Sequence, residues 1–449
     1  MRGGSDTMDA STLGDDFERP GEAMHRLLVE LFPICRSITG DGVRQTLDVL
    51  GREIPLEVHE VPSGTQVFDW TVPDEWNIRD AYVMDESGAR VVDFRRNNLH
   101  VLGYSEPVDA EMSLEELQPH LHSLEEQPEA IPYLTSYYKR RWGFCLAHRD
   151  RERLRPGRYR VRIDSTLEPG SLTYGELRIP GEADDEVFVS TYVCHPSMAN
   201  NELSGPVVTT MLARWILQQP RRLSYRIVFA PETIGALAYL SRNLDVLRHH
   251  VKAAFNMTCV GDERAWSFLP SRRGDTLADR VARHVLAERH PGYRAYSFNT
   301  RGSDERQYCS PGADLPMVSI MRSKYGEYPE YHTSLDDPTL VTPAGLEGSF
   351  RVIRECLEWL ERNRTYRTTC VGEPQLGRRG LYPTLGTRDA GQRARDTLNF
   401  LAQADGERDL LAVAAAAELS ATDAWSLAER LLDAGLLTSV NGTDGGTTP

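Results

Sequence analysis

The sequence predicts a three-layer α/β fold, in which helices cover both faces of a parallel sheet. The first observation is that strand patterns alternate with amphipathic helix patterns from about residue 174 onward; the strand patterns are EVFVSTYVC, YRIVFAPE, VKAAFNMTCVG and LPMVSIMRS. Strands that alternate with helices are joined by crossover connections and therefore run parallel. The second observation is that polar residues follow each of these strands. Parallel sheets bind ligands at the carboxyl ends of their strands, so this pattern predicts the position of the functional site.

A β-rich insertion interrupts the predicted α/β domain. Near the N-terminus, apolar residues recur at helical spacing around the polar turn SITGDG, which predicts two helices. From 59 to 165, short strand patterns are broken by Pro, Gly and Asp, with few helical repeats. We therefore predict an α/β domain over residues 21–58 and 166–365, with an insertion domain at 59–165.

A separate helical module is predicted at the C-terminus. Residues 366–388 are rich in Gly, Arg and Pro and are interpreted as a linker. Residues 389–440 carry three helical patterns and then the short strand pattern LLTSV, an order typical of a winged-helix-like module. Residues 1–20 and 441–449 are polar, so both tails are predicted to be disordered.

Composition and charge limit the classes of partner. The chain has 449 residues and a formal net charge of -15, which argues against nucleic acid or an anionic membrane as the main partner. No stretch approaches the roughly 20 apolar residues that a membrane span needs, and the N-terminus has no signal-peptide pattern. The seven cysteines form no CxxC pair, as is typical of reduced thiols. We expect a cytoplasmic protein.

Five polar segments are predicted to converge on one site. They are CHPSMANNELSG, PETIG, NMTCVGD, RGSDERQYCSPG and YHTSLDD. Together they supply imidazoles and carboxylates, the groups that hold a catalytic metal ion. They also supply a carboxylate that could take a proton from water, which metal-assisted hydrolysis requires.

The order of these segments resembles the zinc aminopeptidase and glutaminyl-cyclase-like superfamily. Its motifs are a His after the first strand, D-N-x-S-G, E-E-x-G, D-M-x-G, S-D-H and a late H-T-x-x-D. The corresponding residues here are His195, NELSG (201–205), ETIG (232–235), TCVG (258–261), SDE (303–305) and HTSLD (332–336). The whole chain is similar to a bacterial group of aminopeptidase-like proteins with a β-rich insertion and a winged-helix-like tail. The resemblance implies a zinc-aminopeptidase-like α/β domain.

Three ligand positions of the superfamily are altered in this chain. The dinuclear site of the superfamily uses two His, a bridging Asp, a Glu and an Asp. The three acidic positions hold Asn201, Thr233 and Thr258 here, whereas both imidazoles remain, as His195 and His332. Neutral side chains cannot hold two divalent ions in the usual arrangement. The resemblance therefore implies one zinc ion, with no metal at all as the alternative.

The remaining acidic residues supply the candidate third ligand and the candidate proton acceptor. Glu232 corresponds to the general base of the superfamily. The oxygen that completes a single-metal site could come from Glu202, from Asp304 or Glu305, or from the amide of Asn201. Asp304 and Glu305 are also candidates to assist catalysis, and both could equally be capping or ion-pair residues.

The late motif suggests how one imidazole is held. Thr333 and Asp336 could orient His332 from behind. The neighbouring segment RSKYGEYPEYH contains residues that could bind substrate or could simply pack as an aromatic loop. The candidate substrate-binding residues are Arg322, Tyr325 and Tyr331.

Cys194 stands next to His195 and raises the question of a thiol nucleophile. Adjacent residues of a strand point to opposite faces, so we expect no contact between these two side chains. A pairing of Cys194 with His332 across the site is left as a minor alternative.

Two classes of function follow from these residues. The leading hypothesis is a metal-dependent hydrolase, aminopeptidase or amidase, that cleaves an amide bond in a small peptide-like or biosynthetic substrate. The alternative is a catalytically inactive ligand-binding or regulatory protein that retains the fold, because three metal ligands are lost. Elemental analysis of the purified protein distinguishes the two.

We predict that the C-terminal module does not bind DNA. Residues 389–449 contain four Arg, no Lys and ten Asp or Glu, and phosphate contacts need Lys or Arg. The module is expected to pack on the α/β domain or to form a homo-oligomer. A mobility-shift assay with random duplex at about 50 mM salt, which favours electrostatic binding, is the test. Tight binding by the module would contradict the prediction.

Overall fold

The computed structural model describes residues 17–381 and 388–440, which form two compact units, one ending at Arg354 and one beginning at Glu355. Of the two tails predicted to be disordered, residues 1–16 and 441–449 lie outside the described residues. The first tail ends earlier than predicted, because a helix begins at Pro20. Proline is favoured in the first turn of a helix, since its missing N–H has no partner there in any case.

The predicted helices of the α/β region are all present. In chain order the helices are α1 (Pro20–Leu31), α2 (Asp41–Gly51), α3 (Leu114–Leu117), α4 (His148–Glu152), α5 (Ser204–Leu217), α6 (Ile234–His250), α7 (Leu277–Arg289), α8 (Glu305–Tyr308) and α9 (Pro343–Arg362). A π-helical segment, Ala199–Leu203, leads directly into α5. Short 3₁₀ turns occur at Asn98–His100, Gln118–His120 and Phe298–Thr300.

The main sheet has a parallel centre and antiparallel edges. The strands of the first unit are β1 (Glu57–Pro62), β2 (Gln66–Val67), β3 (Trp70–Thr71), β4 (Glu75–Met84), β5 (Arg90–Asp93), β6 (Val108–Ser113), β7 (Leu121–His122), β8 (Phe144–Cys145), β9 (Arg158–Glu168), β10 (Ser171–Ile179), β11 (Glu186–Tyr192), β12 (Ser224–Ala230), β13 (Val251–Met257), β14 (Ser267–Leu269), β15 (Arg294–Ala295) and β16 (Met317–Met321). Eight of them form one sheet in the order β1-β10-β12-β11-β13-β16-β14-β15. The four central strands β12, β11, β13 and β16 are parallel, as predicted. β1 and β10 are antiparallel, and so is the pair of β14 with β16.

Helices cover this sheet and confirm the α/β fold class. α5 packs against β11 and β13, α7 against β13 and β16, and α6 against β10, β12 and β13. Val187, Phe188 and Val189 of β11 are almost completely buried. A strand buried on both faces is what a sheet between helix layers requires. The carboxyl ends of β11, β12 and β13 are therefore side by side at one edge of the sheet.

The β-rich insertion folds as a separate antiparallel sheet with the strand order β5-β4-β9-β6. The β-rich character is as predicted, but the bounds differ from the predicted 59–165. Residues Glu57–Pro62 form β1 of the main sheet, and β9 continues to Glu168. Alternating apolar residues predict a strand without showing which sheet it joins, so the sequence could not place this boundary.

The second unit contains the three predicted helices and the predicted short strand. They are α10 (Arg388–Gln403), α11 (Leu410–Ala416), α12 (Ala421–Asp433) and β19 (Leu437–Ser439). β19 pairs with β17 (Thr365–Thr368), which also pairs with β18 (Asp405–Asp409). The predicted linker at 366–388 is thus corrected at its start, because its first residues belong to β17, and a 3₁₀ turn follows at Leu376–Arg379. These pairings join residues far apart in the sequence, and local patterns do not show them.

The position of β17 also changes the charge of this unit. From 365 to 440 the sequence contains eight Arg and ten Asp or Glu, so the acidic excess counted over 389–449 is much reduced. Helix α12 still carries Asp423, Glu429 and Asp433 against a single Arg430. The expectation that DNA is not bound therefore depends on α12 and remains a prediction.

No single helix within residues 17–381 and 388–440 has the length and apolarity to cross a membrane. Helices α11 and α12 reach that length and apolarity only as a pair, with a bend of 110° between them.

Asp336 ties the late loop of the first unit to the start of the π-helical segment. Its carboxylate accepts the backbone N–H groups of Ala199, Asn200 and Asn201 at 3.2, 2.6 and 2.9 Å. The hydroxyl of Tyr328 donates to it as well, at 3.0 Å. The first N–H groups of a helix have no partner within the helix, so this buried carboxylate satisfies them from 135 to 137 residues away.

Stability should depend on pH through Asp336. Burial raises the pKa of this carboxyl to about 6 in the folded protein, against about 3.9 in an unfolded chain. Folding therefore favours the protonated form, and this contribution to stability is complete below about pH 4 and is lost as the pH rises through about 6. The D336N variant cannot ionise, so wild type should lose stability relative to it over this range, on the order of 2 kcal/mol.

The measurement is urea unfolding of both proteins at pH 4, 5, 6 and 7. D337N is the control, because Asp337 lies in the same loop and its carboxylate accepts from Thr339 instead of from the helix. A stability difference between wild type and D336N that stays constant across this range would contradict the prediction.

Candidate active site

The polar segments do converge at the carboxyl ends of the central strands. His195 follows the end of β11 by three residues, Glu232 follows β12 by two, and Thr258 follows β13 directly. Asp304 approaches this group, since its Oδ1 accepts the backbone N–H of Thr233 at 2.7 Å. The prediction of a site at this sheet edge is therefore matched by the structure.

His195 is buried and is held by a carboxylate on one side of its ring. Its Nδ1 lies 2.8 Å from Oε2 of Glu202, and its Nε2 lies 3.7 Å from Oε2 of Glu232. The hydrogen bond at Nδ1 places the ring proton there, so Nε2 faces Glu232 with its lone pair. Burial lowers the pKa of His195, but the hydrogen bond and charge of Glu202 outweigh it, and the pKa is raised. A metal ion at Nε2 would compete with a proton for that lone pair.

Arg36 supports this pair from the core and was not singled out by the sequence analysis. Its side chain is completely buried, and its Nε donates to the carbonyl of His195 at 3.1 Å. Nη1 donates to the carbonyl of Leu31 at 2.8 Å, and Nε lies 3.6 Å from Oε1 of Glu202. The guanidinium thus compensates the buried carboxylate of Glu202. An arginine in a short polar turn gives no local signal that it will be buried beneath a site 159 residues away.

His332 is held by aromatic rings and not by the residues that were predicted to orient it. Its ring stacks on Tyr331 with centroids 3.9 Å apart, and it lies 5.4 Å from the ring of His195. The predicted roles are corrected for Thr333, whose hydroxyl donates to the carbonyl of Glu330, and for Asp336, which caps the helix. The late motif thus uses its Thr and Asp to shape the loop.

The ring nitrogens of His332 are available to a ligand. Across residues 17–381 and 388–440, neither of them has a side-chain or backbone hydrogen bond. Burial, with a smaller contribution from the charge of His195, lowers the pKa of His332 to about 3. A neutral imidazole is the form that binds metals. His332 also has a positive φ of 57°, a conformation uncommon for a residue other than glycine.

The inserted segment contributes a wall of the site that the sequence analysis missed. The ring of Tyr133 lies 5.1 Å from the ring of His195 and 5.1 Å from that of His332. Its backbone N–H donates to the carbonyl of His332 at 2.9 Å. Ile131 and Ser334 form two hydrogen bonds, both of 2.9 Å. The backbone N–H of Ile131 donates to the hydroxyl of Ser334, and the backbone N–H of Ser334 donates to the carbonyl of Ile131. Residues 131–133 therefore form a short pairing with residues 332–334.

Glu232 and Asp304 are neighbouring carboxyl groups, of which Asp304 is almost completely buried and Glu232 has a side chain that is 20% exposed. Partial burial raises the pKa of Glu232, while the charges of His195 and Arg306 oppose this. Burial also raises the pKa of Asp304 well above its usual range, and the charge of Glu232 adds to the effect. Two neighbouring carboxyl groups cannot both ionise easily, so each disfavours the charged form of the other.

Three of the predicted ligand or catalytic residues have other partners. Both oxygens of Glu305 are occupied, Oε1 by the N–H groups of Gly302 and Ser303 and the hydroxyl of Tyr325, and Oε2 by Asn256. The carboxylate of Glu202 is hydrogen-bonded to Nδ1 of His195. The candidate metal ligand Asn201 and Thr258 share the hydroxyl of Tyr192, which lies 3.2 Å from Oδ1 of Asn201 and 2.6 Å from Oγ1 of Thr258. The predictions of Asn201 as a metal ligand and of Glu305 as a catalytic group are therefore corrected, whereas Glu202 as a metal ligand stays a prediction, since it lies with Cys194 and His195 in a group that could hold an ion.

The three predicted substrate-binding residues lie in different places. Arg322 is corrected, since its guanidinium lies 4.3 Å from the ring of Trp266 and its Nε donates to the carbonyl of Ala265. Tyr325 is a support for Glu305, to which its hydroxyl donates at 2.7 Å. Tyr331 does border the site, through its stacking on His332.

Cys194 contacts His195, contrary to the prediction. Its Sγ lies 3.3 Å from Nδ1 of His195 and accepts the backbone N–H of Glu232 at 3.2 Å. Strand β11 ends at Tyr192, so the alternation of a strand no longer applies. Cys194, His195 and Glu202 are close enough to form a metal-binding group. However, burial raises the pKa of the thiol well above its usual range, and Nδ1 is engaged by Glu202, so we interpret the group as a hydrogen-bonded support.

The fold and the converging polar segments define an aminopeptidase-like α/β protein, in which candidate metal-binding residues lie at the sheet edge. Residues 25–363 match the family described as "Domain of unknown function (DUF4910)", and residues 364–439 match a winged helix-turn-helix family. The chain belongs to the DUF4910 family. The second match begins at β17, in agreement with the corrected start of the C-terminal sheet.

Relatives and solved structures agree with this assignment. A protein of Clostridium acetobutylicum with the provisional name of polysaccharide biosynthesis protein with aminopeptidase-like domain is 48% identical over 369 residues, 82% of this chain and 84% of the relative. A crystal structure provisionally named a peptidase from Clostridium acetobutylicum has a TM-score of 0.86 at 44% identity, covering 96% of this chain and 99% of that one. BSAP, a zinc aminopeptidase from Bacillus subtilis, has a TM-score of 0.55 at 11% identity over 76% of this chain and 94% of its own, which shows a shared fold.

Removing Arg36 should leave a buried charge without compensation. We expect R36M to lower the free energy of unfolding by about 3–5 kcal/mol, because the carboxylate of Glu202 stays buried. E202Q should also destabilise the protein. The double variant should lose less free energy of unfolding than the two single variants lose in sum. Urea unfolding of the four proteins measures this coupling.

Arg52 offers a matched control. It pairs with Glu30 at 2.6 Å, but both side chains are more than half exposed. R52M should cost less than about 1 kcal/mol, as exposed ion pairs do. Strictly additive losses for Arg36 and Glu202 would show that the buried pair is not coupled.

Proposed function

We propose that this protein is a zinc-dependent hydrolase that cleaves an amide bond in a small peptide-like or biosynthetic substrate. The observation that carries the proposal is the pair of imidazoles, His195 and His332, with rings 5.4 Å apart beside Glu232. This pair lies at the carboxyl ends of strands in a fold that is shared with zinc aminopeptidases. Catalytic zinc sites consist of such imidazoles with a nearby carboxylate.

The donor set fits a single zinc ion. Nε2 of His195 is directed away from Glu202, and His332 is neutral with free ring nitrogens. His195 and His332 would hold the ion, and a bound zinc would supply Lewis acidity toward the amide carbonyl and toward water. The Glu202–His195 hydrogen bond is the carboxylate support that metal-binding histidines usually have.

The chain's own residues would move the proton and position the substrate. Glu232 would take a proton from water, since burial raises its pKa toward the working range of a general base. Asp304 accepts the backbone N–H of Thr233, the residue after Glu232, and would hold the segment that carries Glu232 in place. Tyr133 and Tyr331 form the aromatic walls that would exclude water around the imidazoles.

One ion is proposed, not two. The positions that carry acidic ligands in the resembled superfamily hold Asn201, Thr233 and Thr258. The hydroxyl of Tyr192 bridges Asn201 and Thr258, so these side chains satisfy each other with neutral hydrogen bonds. No anionic ligand is left there for a second divalent ion.

The relative's name guides the choice of substrate. Its provisional assignment to polysaccharide biosynthesis favours an amide on a biosynthetic intermediate. We further propose a cytoplasmic location, in keeping with seven free cysteines, and self-association through the second unit. Neither nucleic acid nor a membrane is proposed as a partner.

Elemental analysis and two variants test the proposal. Protein purified without added metal and then dialysed against zinc should hold about one zinc per chain, and H332A should hold none, because one imidazole with neutral oxygens binds zinc poorly. E232Q should keep the zinc and lose hydrolytic activity on the order of 100-fold or more. Loss of zinc from E232Q would instead assign Glu232 as the third ligand, and two zinc ions per chain would contradict the single-metal site.

A non-catalytic binding or regulatory protein is the second candidate. The observation that favours it is the network of neutral groups around Tyr192, which includes two of the three altered ligand positions, Asn201 and Thr258. Wild-type protein that holds no zinc after dialysis, yet binds small amides, would support this candidate over the hydrolase.

A further inference from the structure

Arg306 lies at the mouth of the candidate active site. It is an exposed residue of the short helix α8, and its Nη2 donates to Oγ1 of Thr233 at 2.8 Å. Thr233 follows Glu232 in the chain, so this bond places the guanidinium beside the carboxylate that is proposed to take a proton. A guanidinium has five N–H donors, and within residues 17–381 and 388–440 this is its one hydrogen bond to a side chain.

The charge of Arg306 acts on several groups of the site. It opposes the rise in pKa that burial causes in Glu232, Asp304 and Tyr331. These three residues come from three different segments. Together with the hydrogen bond to Thr233, this places the guanidinium near the segment that carries Glu232.

The N-terminus of the neighbouring helix α6 already has a hydrogen-bond partner. Helix α6 begins after Thr233, and the N-terminus of a helix attracts anions. Asp304 accepts the N–H of Thr233 at 2.7 Å and occupies this position. Arg306 is thus an exposed cation next to the segment that carries Glu232, whereas the sequence analysis proposed Arg322 as a substrate-binding residue.

The altered ligand positions make the site less able to attract a positively charged substrate group. An ammonium group of a substrate is attracted by carboxylates, and Asn201, Thr233 and Thr258 provide none. Arg306 offsets the negative charge of Glu232, and the altered positions add no further carboxylate, so a substrate with a negative charge can be bound at the guanidinium. A planar guanidinium matches a carboxylate in a two-point contact.

We infer that Arg306 binds a carboxylate group of the substrate close to the amide that is cleaved. This inference rests on the proposed function for the position of the amide, but the binding itself does not require turnover. A carboxylate fits better than a phosphate, because the charge of Glu232 next to Arg306 repels a dianion more strongly.

The test compares ligands that differ in one group. Isothermal titration calorimetry of the full chain uses a panel of N-acetyl amino acids and the corresponding N-acetyl amino acid amides. Wild type should bind the carboxylates more tightly than the amides. R306Q should weaken carboxylate binding by about 10- to 100-fold, the range of a charged hydrogen bond, and leave amide binding unchanged.

Two further variants make the result specific. R306K should retain part of the carboxylate binding, because it keeps the charge without the planar fork. R301Q is the matched control, since Arg301 is exposed in the same segment and its guanidinium lies over the ring of Phe298. Binding by R301Q should equal that of wild type.

The outcomes separate this inference from the proposed function. If no carboxylate binds more tightly than its amide, if R306Q weakens both alike, or if inorganic phosphate competes better than the carboxylates, the inference is wrong. Binding of carboxylates through Arg306 by a chain that holds no zinc would retain it and overturn the hydrolase proposal. A zinc-loaded, active chain whose binding ignores Arg306 would overturn only the inference.

Discussion

The hydrogen bond between Nδ1 of His195 and Glu202 is the constraint on which the site depends. It fixes the tautomer of the imidazole and turns Nε2 toward Glu232. A carboxylate with no measurable exposure could not remain charged in this place without Arg36, whose guanidinium reaches it from the turn between α1 and α2. The N-terminal helices therefore matter to the chemistry although they contribute no group to the cleft. Their packing sets the charge balance beneath the first imidazole.

The sequence predicted the sheet, its helices and the convergence of the motifs well, because each depends on a local pattern. A buried strand such as β11 has a short apolar run, and polar residues at its end lie at the ligand-binding edge whatever the rest of the chain does. The positions of His195, Glu232 and His332 followed from the resemblance of their motifs. The hydrogen-bond partners of the site residues, in contrast, could not be predicted from local patterns. Nothing in the segment CHPSMANNELSG shows that Glu202 turns back to His195 while Asn201 turns toward Tyr192.

The residues that the sequence analysis missed share one property, which is that their contacts are remote in the chain. Arg36 lies 159 residues from His195. The sequence analysis proposed Arg322 for substrate binding and did not single out Arg306; only the fold shows that Arg322 packs on Trp266 while Arg306 bonds Thr233. Likewise, the replacement of acidic ligands by Asn201 and Thr258 looked like a simple loss. The structure shows that both side chains are hydrogen-bonded to the hydroxyl of Tyr192. Restoring one Asp there would bury a carboxylate beside that hydroxyl without recreating the missing ligands, so the change cannot be reversed one residue at a time.

The pairing of residues 131–133 with residues 332–334 has a consequence for the order in which the protein becomes competent during its synthesis. The ribosome releases the inserted segment about 200 residues before the loop that carries His332. Until that loop emerges and aligns with Tyr133, the nascent chain has one imidazole in place and no closed aromatic wall. A prematurely terminated product lacking the late loop would have most of the sheet but neither the second imidazole nor its contact with Tyr133. Such a fragment would lack two of the features on which the proposed hydrolysis depends, so the proposed activity would begin only once the late loop is in place.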